Sequence, residues 1–329
     1  MMKLKNLVLD TDQAANEILK NWEHDECSLS FWRGSANYVY FFTYRNEKYW
    51  LRFSKKDEKS LAQIKAEIEF LLYLNNNNYP SVYPIKSKND KYIEVIEIDS
   101  ETYYAVVFNK ANGVNLDIDS MTESQFECWG KSLASLHNLS KSFNPKEYVR
   151  NSWKDVLKFT SDILSDFPNE KNALEELDRV KKWLNSLPVT NDNYGLIHYD
   201  FELDNVFFNK KSNRFEVIDF DSSIYHWYVM DIACALGDLH ELESSKAKSG
   251  LEYFLKGYRT INHIGEEYIT LLPKFERFGN LIKFAKLLRS LQDSNFVQEP
   301  DWLKKLRPRL LKKCDEYREG FKEKWEISL

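Results

Sequence analysis

The stretch Ile197-His198-Tyr199-Asp200-Phe201-Glu202-Leu203-Asp204-Asn205-Val206-Phe207-Phe208 is followed closely by Phe215-Glu216-Val217-Ile218-Asp219-Phe220-Asp221. Together they carry the spacing H-x-D-x-x-x-x-N and then a second acidic cluster at the end of an apolar run. This is the order of a phosphoryl-transfer site, in which an orienting Asp precedes two metal ligands. Asp200, at the start of a loop, is expected to keep its carboxylate clear of helix hydrogen bonds and to accept or orient a hydroxyl proton. Five residues on, the amide oxygen of Asn205 can supply a neutral ligand to magnesium, whose coordination sphere is all oxygen. Val206-Phe207-Phe208 and Phe215-Val217-Ile218 are strand-like, and Asn209-Lys210-Lys211-Ser212-Asn213 between them is turn-rich, so the pair reads as a hairpin. A hairpin brings its ends together and sets Asn205 beside Asp219, giving two oxygen donors for one Mg²⁺ that bridges nucleotide phosphates.

Upstream, Asp10 or Thr11 is expected to cap a helix along Ala14, Ala15, Ile18, Leu19 and Trp22, apolar at helical spacing. Residues 31–42 and 48–53 read as strands joined by a polar turn at Arg45-Asn46-Glu47. Within the first run, Gly34-Ser35-Ala36-Asn37 is either a plain hairpin turn or a loop lying over phosphates, with Ser35 and Asn37 as contact residues. Strand alternation puts Lys48, Trp50 and Arg52 on one face, where Arg52 can reach phosphates. In the following helix, apolar along Leu61, Ile64, Ile68, Leu71, Leu72 and Leu74, Glu67 is positioned to hold Arg52.

Two more strands, 92–96 and 103–108, precede Asn109-Lys110-Ala111-Asn112-Gly113. There the pattern changes from strands to helices, which marks a lobe boundary. The backbone of Asn109 to Ala111 is the candidate for a nucleobase edge. Thr122-Glu123-Ser124-Gln125 is a capping box opening a helix with Phe126, Trp129, Leu133, Leu136 and His137 on one side, so His137 reads as a core-flanking residue. Further on, 153–187 reads as two helices parted by Pro168, with amphipathic helices at 236–255 and 275–291. Basic residues of 304–313 read as a solvated helix face.

The chain has 329 residues, 43% hydrophobic, enough for a sizeable core and about two domains. With a net charge of −5 and both signs interspersed, it has no field suited to nucleic acid. Cys27, Cys128, Cys234 and Cys314 are scattered without a C-x-x-C, as reduced thiols are. Residues 1–6 lack a leader's apolar segment, and no apolar run reaches membrane length, so the cytoplasm is the expected location.

Four pieces of this sequence resemble the aminoglycoside phosphotransferase and choline kinase superfamily, the small-molecule branch of the protein-kinase-like fold. They are Tyr49-Trp50-Leu51-Arg52 with Glu67; residues 129–137; His198-Tyr199-Asp200 through Asn205; and Val217-Ile218-Asp219-Phe220-Asp221 followed by Asp231-Ile232-Ala233. The resemblance implies an α+β, two-lobed architecture: a small antiparallel-sheet N-terminal lobe over 1–109 that binds nucleotide, and a larger, mainly helical C-terminal lobe over 110–329 that carries catalysis and substrate binding. It implies Asp200 as the catalytic Asp, Asn205 and Asp219 as magnesium ligands, Glu67 as partner of the phosphate-binding cation, and His198 as brace of the catalytic loop. Two positions depart from the family: Tyr199 replaces a small residue, and Arg52 replaces the strand Lys with a rigid fork that is not a point charge.

Only residues 222–230 separate the acidic cluster from Asp231, and no A-P-E follows, so there is no room for a peptide-presenting activation segment. The expected activity is transfer of the γ-phosphate of ATP or GTP, with Mg²⁺, to a hydroxyl of a small molecule. Aminoglycoside, homoserine, choline, ethanolamine and sugar are the acceptor classes, with no nucleic-acid or membrane partner and a monomer or homodimer as the assembly. Glu202, Asp204, Asp221, Asp238 and Glu241 are acidic candidates for an amine-bearing acceptor, although solvated surface is the ordinary state of such residues. Glu202 and Asp221 are kept as acceptor-side candidates. A catalytically inactive nucleotide-binding relative and a helical interaction protein are the competing classes.

Overall fold

In the computed structural model, residues 11–292, 300–323 and 325 are described. The leader reading of residues 1–6 and the capping role of Asp10 lie outside them. Thr11 precedes α1 (Asp12–Leu19), which buries Ala14, Ala15, Ile18 and Leu19, the apolar stripe its spacing predicts. The described residues divide into two compact units, one of Thr11–Asn151 with Val189–Thr270, the other of Ser152–Pro188 with the described part of Leu271–Leu329.

In the first unit, β1 (Ser30–Gly34), β2 (Tyr38–Tyr44) and β3 (Glu47–Lys55) form an antiparallel meander. Arg45 and Asn46, joining β2 to β3, both have positive φ, the left-handed pair that a two-residue hairpin turn needs to match strand twist. Helix α2 (Leu61–Asn76) starts at a capping box made by Ser60 and Gln63. The short β4 (Pro84–Ile85), then β5 (Glu94–Ile98) and β6 (Glu101–Asn109), complete a six-stranded sheet of order β1-β2-β3-β6-β4, with β5 pairing β6. Asp99 and Ser100 repeat the positive-φ turn between β5 and β6.

Helix α3 (Glu123–Ser140) opens at the Thr122/Gln125 capping box, as its sequence predicts. Helices α4 (Trp153–Ser165) and α5 (Lys171–Ser186) flank Pro168 and belong to the second unit. The first unit resumes with β7 (Tyr194–Ile197) and the hairpin of β8 (Val206–Asn209) and β9 (Arg214–Val217), in the register Val206↔Val217. It continues through β10 (Ile224–Trp227), paired with β7, to α6 (Tyr228–Ala235), α7 (Ser244–Arg259) and α8 (Glu266–Ile269). The helix expected over 236–255 starts later: Gly237–Glu241 is a tighter three-residue-per-turn helix, and α7 begins at Ser244.

The second unit is completed by α9 (Leu272–Leu291) and α10 (Asp301–Gly320), with Leu157, Leu164, Val180, Phe275, Phe278 and Phe284 buried. Inside it Glu176, fully buried, accepts two hydrogen bonds from Arg277 at 2.6 and 2.8 Å, a bidentate pair that satisfies both charges. The basic residues Lys304, Lys305, Lys312 and Lys313 are exposed on α10, which buries Leu303 and Cys314. No helix of the described residues is long and apolar enough to cross a membrane.

Candidate active site

The hairpin β8–β9 brings the two halves of the motif together, as its sequence predicts. The Ile218 N–H donates to the Asn205 carbonyl at 3.0 Å, so the residue before Asp219 is tied directly to Asn205. Gly113, at φ +113°, lets the preceding segment cross this hairpin at close range, where a Cβ would lie 2.5 Å from the Phe208 carbonyl oxygen. Beyond it, Val114 exchanges backbone hydrogen bonds with Phe208 at 3.2 and 2.8 Å. The Asn115 side-chain amide donates to the carbonyls of Leu203, Asp204 and Val206. Nothing local in the sequence marks Asn115, because its three partners lie about ninety residues away.

Asp200, Asp204, Asn205, Asp219 and Asp221 line one polar recess with Arg33, Ser35, Asn37 and Arg52. The Asn205 amide nitrogen donates to both the carbonyl and the carboxylate of Asp200 at 3.0 Å, which turns its oxygen away from Asp200. Asp219 sits at φ +61°, ψ +58°, a left-handed conformation that a non-glycine residue adopts at a cost and that clusters at functional sites. Arg33 donates to Asp219 Oδ2 at 3.1 Å, and Arg52 Nη1 lies 3.7 Å from Oδ1. Arg52 Nη2 donates to Glu67 Oε2 at 2.7 Å. Burial opposes both charges of that pair; their attraction and hydrogen bond overcome it, holding the Glu67 carboxyl below and the Arg52 guanidinium above their ordinary values.

Behind the recess, His198 is fully buried and its Nε2 meets the Ile218 carbonyl at 2.9 Å. Burial lowers its pKa, the neighbouring Asp231 opposing, so the ring is neutral at pH 7 and braces the loop rather than touching a reactant. Asp231, also fully buried, accepts from the backbone N–H groups of His198 at 2.7 Å and Tyr199 at 2.5 Å. Its Oδ2 also meets His137 Nε2 at 3.0 Å, while His137 Nδ1 meets the Tyr258 hydroxyl at 2.8 Å. These bonds hold Tyr199 at φ +65° and so aim Asp200. His137 is a core residue, as expected.

A larger cleft of ≈ 460 Å³ continues from Arg52 past Lys48, Trp50, Leu71, Val82, Phe108, Ala111, Phe207 and Phe220. Lys48, Trp50 and Arg52 share its wall, as alternation along β3 requires, while Leu51 is buried on the opposite face. Asn109 lines the cleft but spends its N–H on the Tyr83 carbonyl at 3.3 Å and its side chain on the Tyr83 N–H at 2.7 Å and the Lys110 carbonyl at 3.0 Å. The Ala111 amide has no hydrogen-bond partner among the described residues. Of the pair expected to meet a base edge, Ala111 is therefore the one with an amide to offer.

Ser35, Ala36 and Asn37 form the tip of the β1–β2 hairpin, closed by the pairing of Gly34 with Tyr38. The Ser35 N–H turns inward to the Asn37 carbonyl at 3.1 Å, so it does not point at a phosphate. Asp221 lines the recess, with its carboxylate ion-paired to Lys59 and accepting from the Asn37 amide at 3.0 Å. Those partners turn it from an acceptor toward the hairpin tip. Glu202 is half-buried, lines neither the recess nor the cleft, and accepts the Asn205 N–H with its carbonyl at 3.0 Å. Sequence reading missed Arg33, Lys59, Asn115 and Arg150, all of which look like solvated residues in the one-dimensional pattern.

Residues 29–272 match the model of a family described as a phosphotransferase enzyme family. Amicoumacin kinase of Bacillus subtilis (strain 168) is 25% identical over 307 residues, covering 89% of each chain. Among solved structures, the amicoumacin kinase hAmiN in complex with AMP-PNP, Ca²⁺ and Ami superposes with a TM-score of 0.80 at 22% identity, over 97% of this chain and 96% of that one. A microcompartment-associated aminopropanol kinase gives 0.70 at 20% identity, over 94% of both. Spectinomycin phosphotransferase gives 0.58 at 17%, over 92% of this chain and 93% of that one. The structural neighbours share the fold, and since the family match runs from the edge strand of the sheet through the β8–β9 hairpin to the helices beyond it, the chain belongs to the phosphotransferase enzyme family.

Proposed function

We propose that this small-molecule phosphotransferase moves the γ-phosphate of ATP to a hydroxyl of an amine-bearing small molecule, with Asp200 as the residue that orients the acceptor. The observation that carries this reading is the convergence of Asp200, Asn205 and Asp219 on one recess beside the Arg52–Glu67 pair. The amide oxygen of Asn205 and the carboxylate of Asp219 are hard oxygen donors on neighbouring segments, a set that fits magnesium. When bound there, magnesium neutralises the charge of the phosphate chain.

The chain's own groups do the rest. Arg52, held by Glu67, binds phosphate oxygens with a fork fixed in direction. Trp50, Phe108 and Ala111 hold the base and keep water from the inner cleft. Asp200 accepts a hydrogen bond from the acceptor hydroxyl, whose oxygen attacks the γ-phosphorus as the bond to the β-phosphate oxygen breaks; the hydroxyl proton passes to Asp200. His198 and Asp231 keep Asp200 in place through the loop backbone.

For the acceptor, the two amicoumacin kinases among the relatives support an antibiotic of that kind as first candidate, ahead of spectinomycin, aminopropanol and choline. Radiolabelled γ-phosphate transfer from ATP to these four compounds, with magnesium, tests the reading. Labelled amicoumacin is the expected product; labelling of choline or aminopropanol alone moves the enzyme to primary metabolism, and labelling of none overturns the proposal.

A further inference from the structure

The three-residue tip of the β1–β2 hairpin lines the recess and contains no glycine, Gly34 being the last residue of β1. What fixes it is a ring of side chains. Asn37, 6% exposed, donates its amide to Asp221 Oδ2 at 3.0 Å; Lys59 is ion-paired to Asp221 Oδ1; Lys59 Nζ also lies 3.5 Å from the Asn37 amide oxygen. Each member touches the other two. Lys59 stands just before the cap residue of α2, Asn37 on the hairpin tip, and Asp221 two residues beyond Asp219. Three segments distant in sequence therefore meet at one point.

The Asp221 end of this ring is rigid. Arg150, 9% exposed, threads beneath it and donates to the Asp221 carbonyl at 2.5 Å, the Gln63 carbonyl at 2.9 Å and the Ser223 carbonyl at 2.8 Å. Those bonds fasten the segment after Asp219 to α2. Among the described residues the hairpin tip itself has no comparable anchor: besides the ring it carries the internal hydrogen bond from the Ser35 N–H to the Asn37 carbonyl, and the Arg33–Asp219 pair lies before it, on β1. Charge matters too. Asp200, Asp204, Asp219 and Asp221 crowd one recess, and a triphosphate adds further negative charge; Lys59 stands against one of these carboxylates, that of Asp221.

The geometry points to Lys59, Asp221 and Asn37 as a latch that pins the phosphate-covering hairpin to the metal-bearing segment, with Lys59 a positioning residue for nucleotide rather than a phosphate ligand. Lys59 does not line the recess, which separates it from Arg33 and Arg52. The latch rests on the assignment of the cleft to nucleotide, and its test is built so that the two fail separately.

Hydrogen exchange on the nucleotide-free protein reads the latch directly. In Lys59→Met and Asn37→Ala, the amides of residues 34–38 are expected to exchange at least tenfold faster, while β8 and β9 keep their protection. Lys59→Arg, which preserves the charge, is expected to restore the wild-type rate. In steady-state kinetics the same two variants are expected to raise the nucleotide KM about tenfold with kcat within threefold and acceptor KM unchanged. The double variant Lys59→Met/Asn37→Ala is expected to be no worse than either single one, because both break one ring. Unchanged exchange at 34–38, additive effects on KM, or failure of the arginine variant to rescue would each overturn the latch. Faster exchange in a protein that uses no nucleotide would support the latch and sink the nucleotide assignment.

Discussion

The two ends of the cleft are built by opposite rules. At the end assigned to phosphate, Arg33, Arg52, Asp219 and Glu67 form one connected set of ion pairs and Lys59 and Asp221 a second pair beside it, with Asp219 on a left-handed turn. At the end assigned to the base, Trp50, Phe108, Phe207, Phe220, Val82 and Leu71 offer apolar wall. A charged end fixes direction, because a buried ion pair that loses one partner leaves an uncompensated charge, whereas an apolar wall tolerates small shifts. The contrast teaches that turnover should depend on the phosphate end, and affinity for the base on the other.

Substituting Asp200 by Asn gives the largest break. Turnover is expected to fall by roughly 10²- to 10⁴-fold, the range that positioned proton transfer supplies. Nucleotide binding measured by calorimetry should persist, since the Asp200 backbone carbonyl still receives Asn205. Retained turnover would remove Asp200 from its role. Asp219→Ala is next: magnesium-dependent nucleotide binding should be lost, and the magnesium-independent remainder should survive through Arg52 and the aromatic wall. Calorimetry giving the same affinity with and without the substitution would put the metal elsewhere.

A third measurement addresses the scaffold behind the phosphate end. Burial lowers the pKa of His137 and His198, and that of His226 to about 3. Below an ordinary histidine value of about 6.5, the unfolded chain takes up protons that the folded chain refuses, so stability present above that pH is lost as the pH falls toward the folded values. The urea midpoint is expected to drop steadily between pH 7 and 5. A flat profile would mean that these rings reach solvent and cannot brace the loop.

The smallest effect belongs to the base end. Trp50→Ala removes one aromatic wall, worth about 1 kcal/mol, which corresponds to a roughly fivefold rise in nucleotide KM. The turnover number should stay within twofold. A fall in turnover as large as that of Asp200→Asn would erase the distinction between the two ends.

How much of this was legible in the chain differs by residue. Asp200, Asn205 and Asp219 were readable because a loop, a hairpin and a strand end place them by local rules, and the β8–β9 register follows from the turn between. Arg52 and Glu67 were readable from the alternation of β3 and the stripe of α2. Lys59, Arg150 and Asn115 were not, since a cation or amide that satisfies carbonyls across the fold leaves no periodic trace. The partners of Asp221 were not legible for the same reason, being 184 and 162 residues distant.

The sequence by itself determined most of the elements, the β2–β3 and β8–β9 hairpins, and the order of the motif residues, because these follow from spacing within a few neighbours. Only the tertiary structure decided which charges neutralise which, which amide remains for a base, and what pins the hairpin tip. Those are long-range pairings: their energies come from desolvation and contact between distant segments, and such terms exist only once the chain has closed on itself.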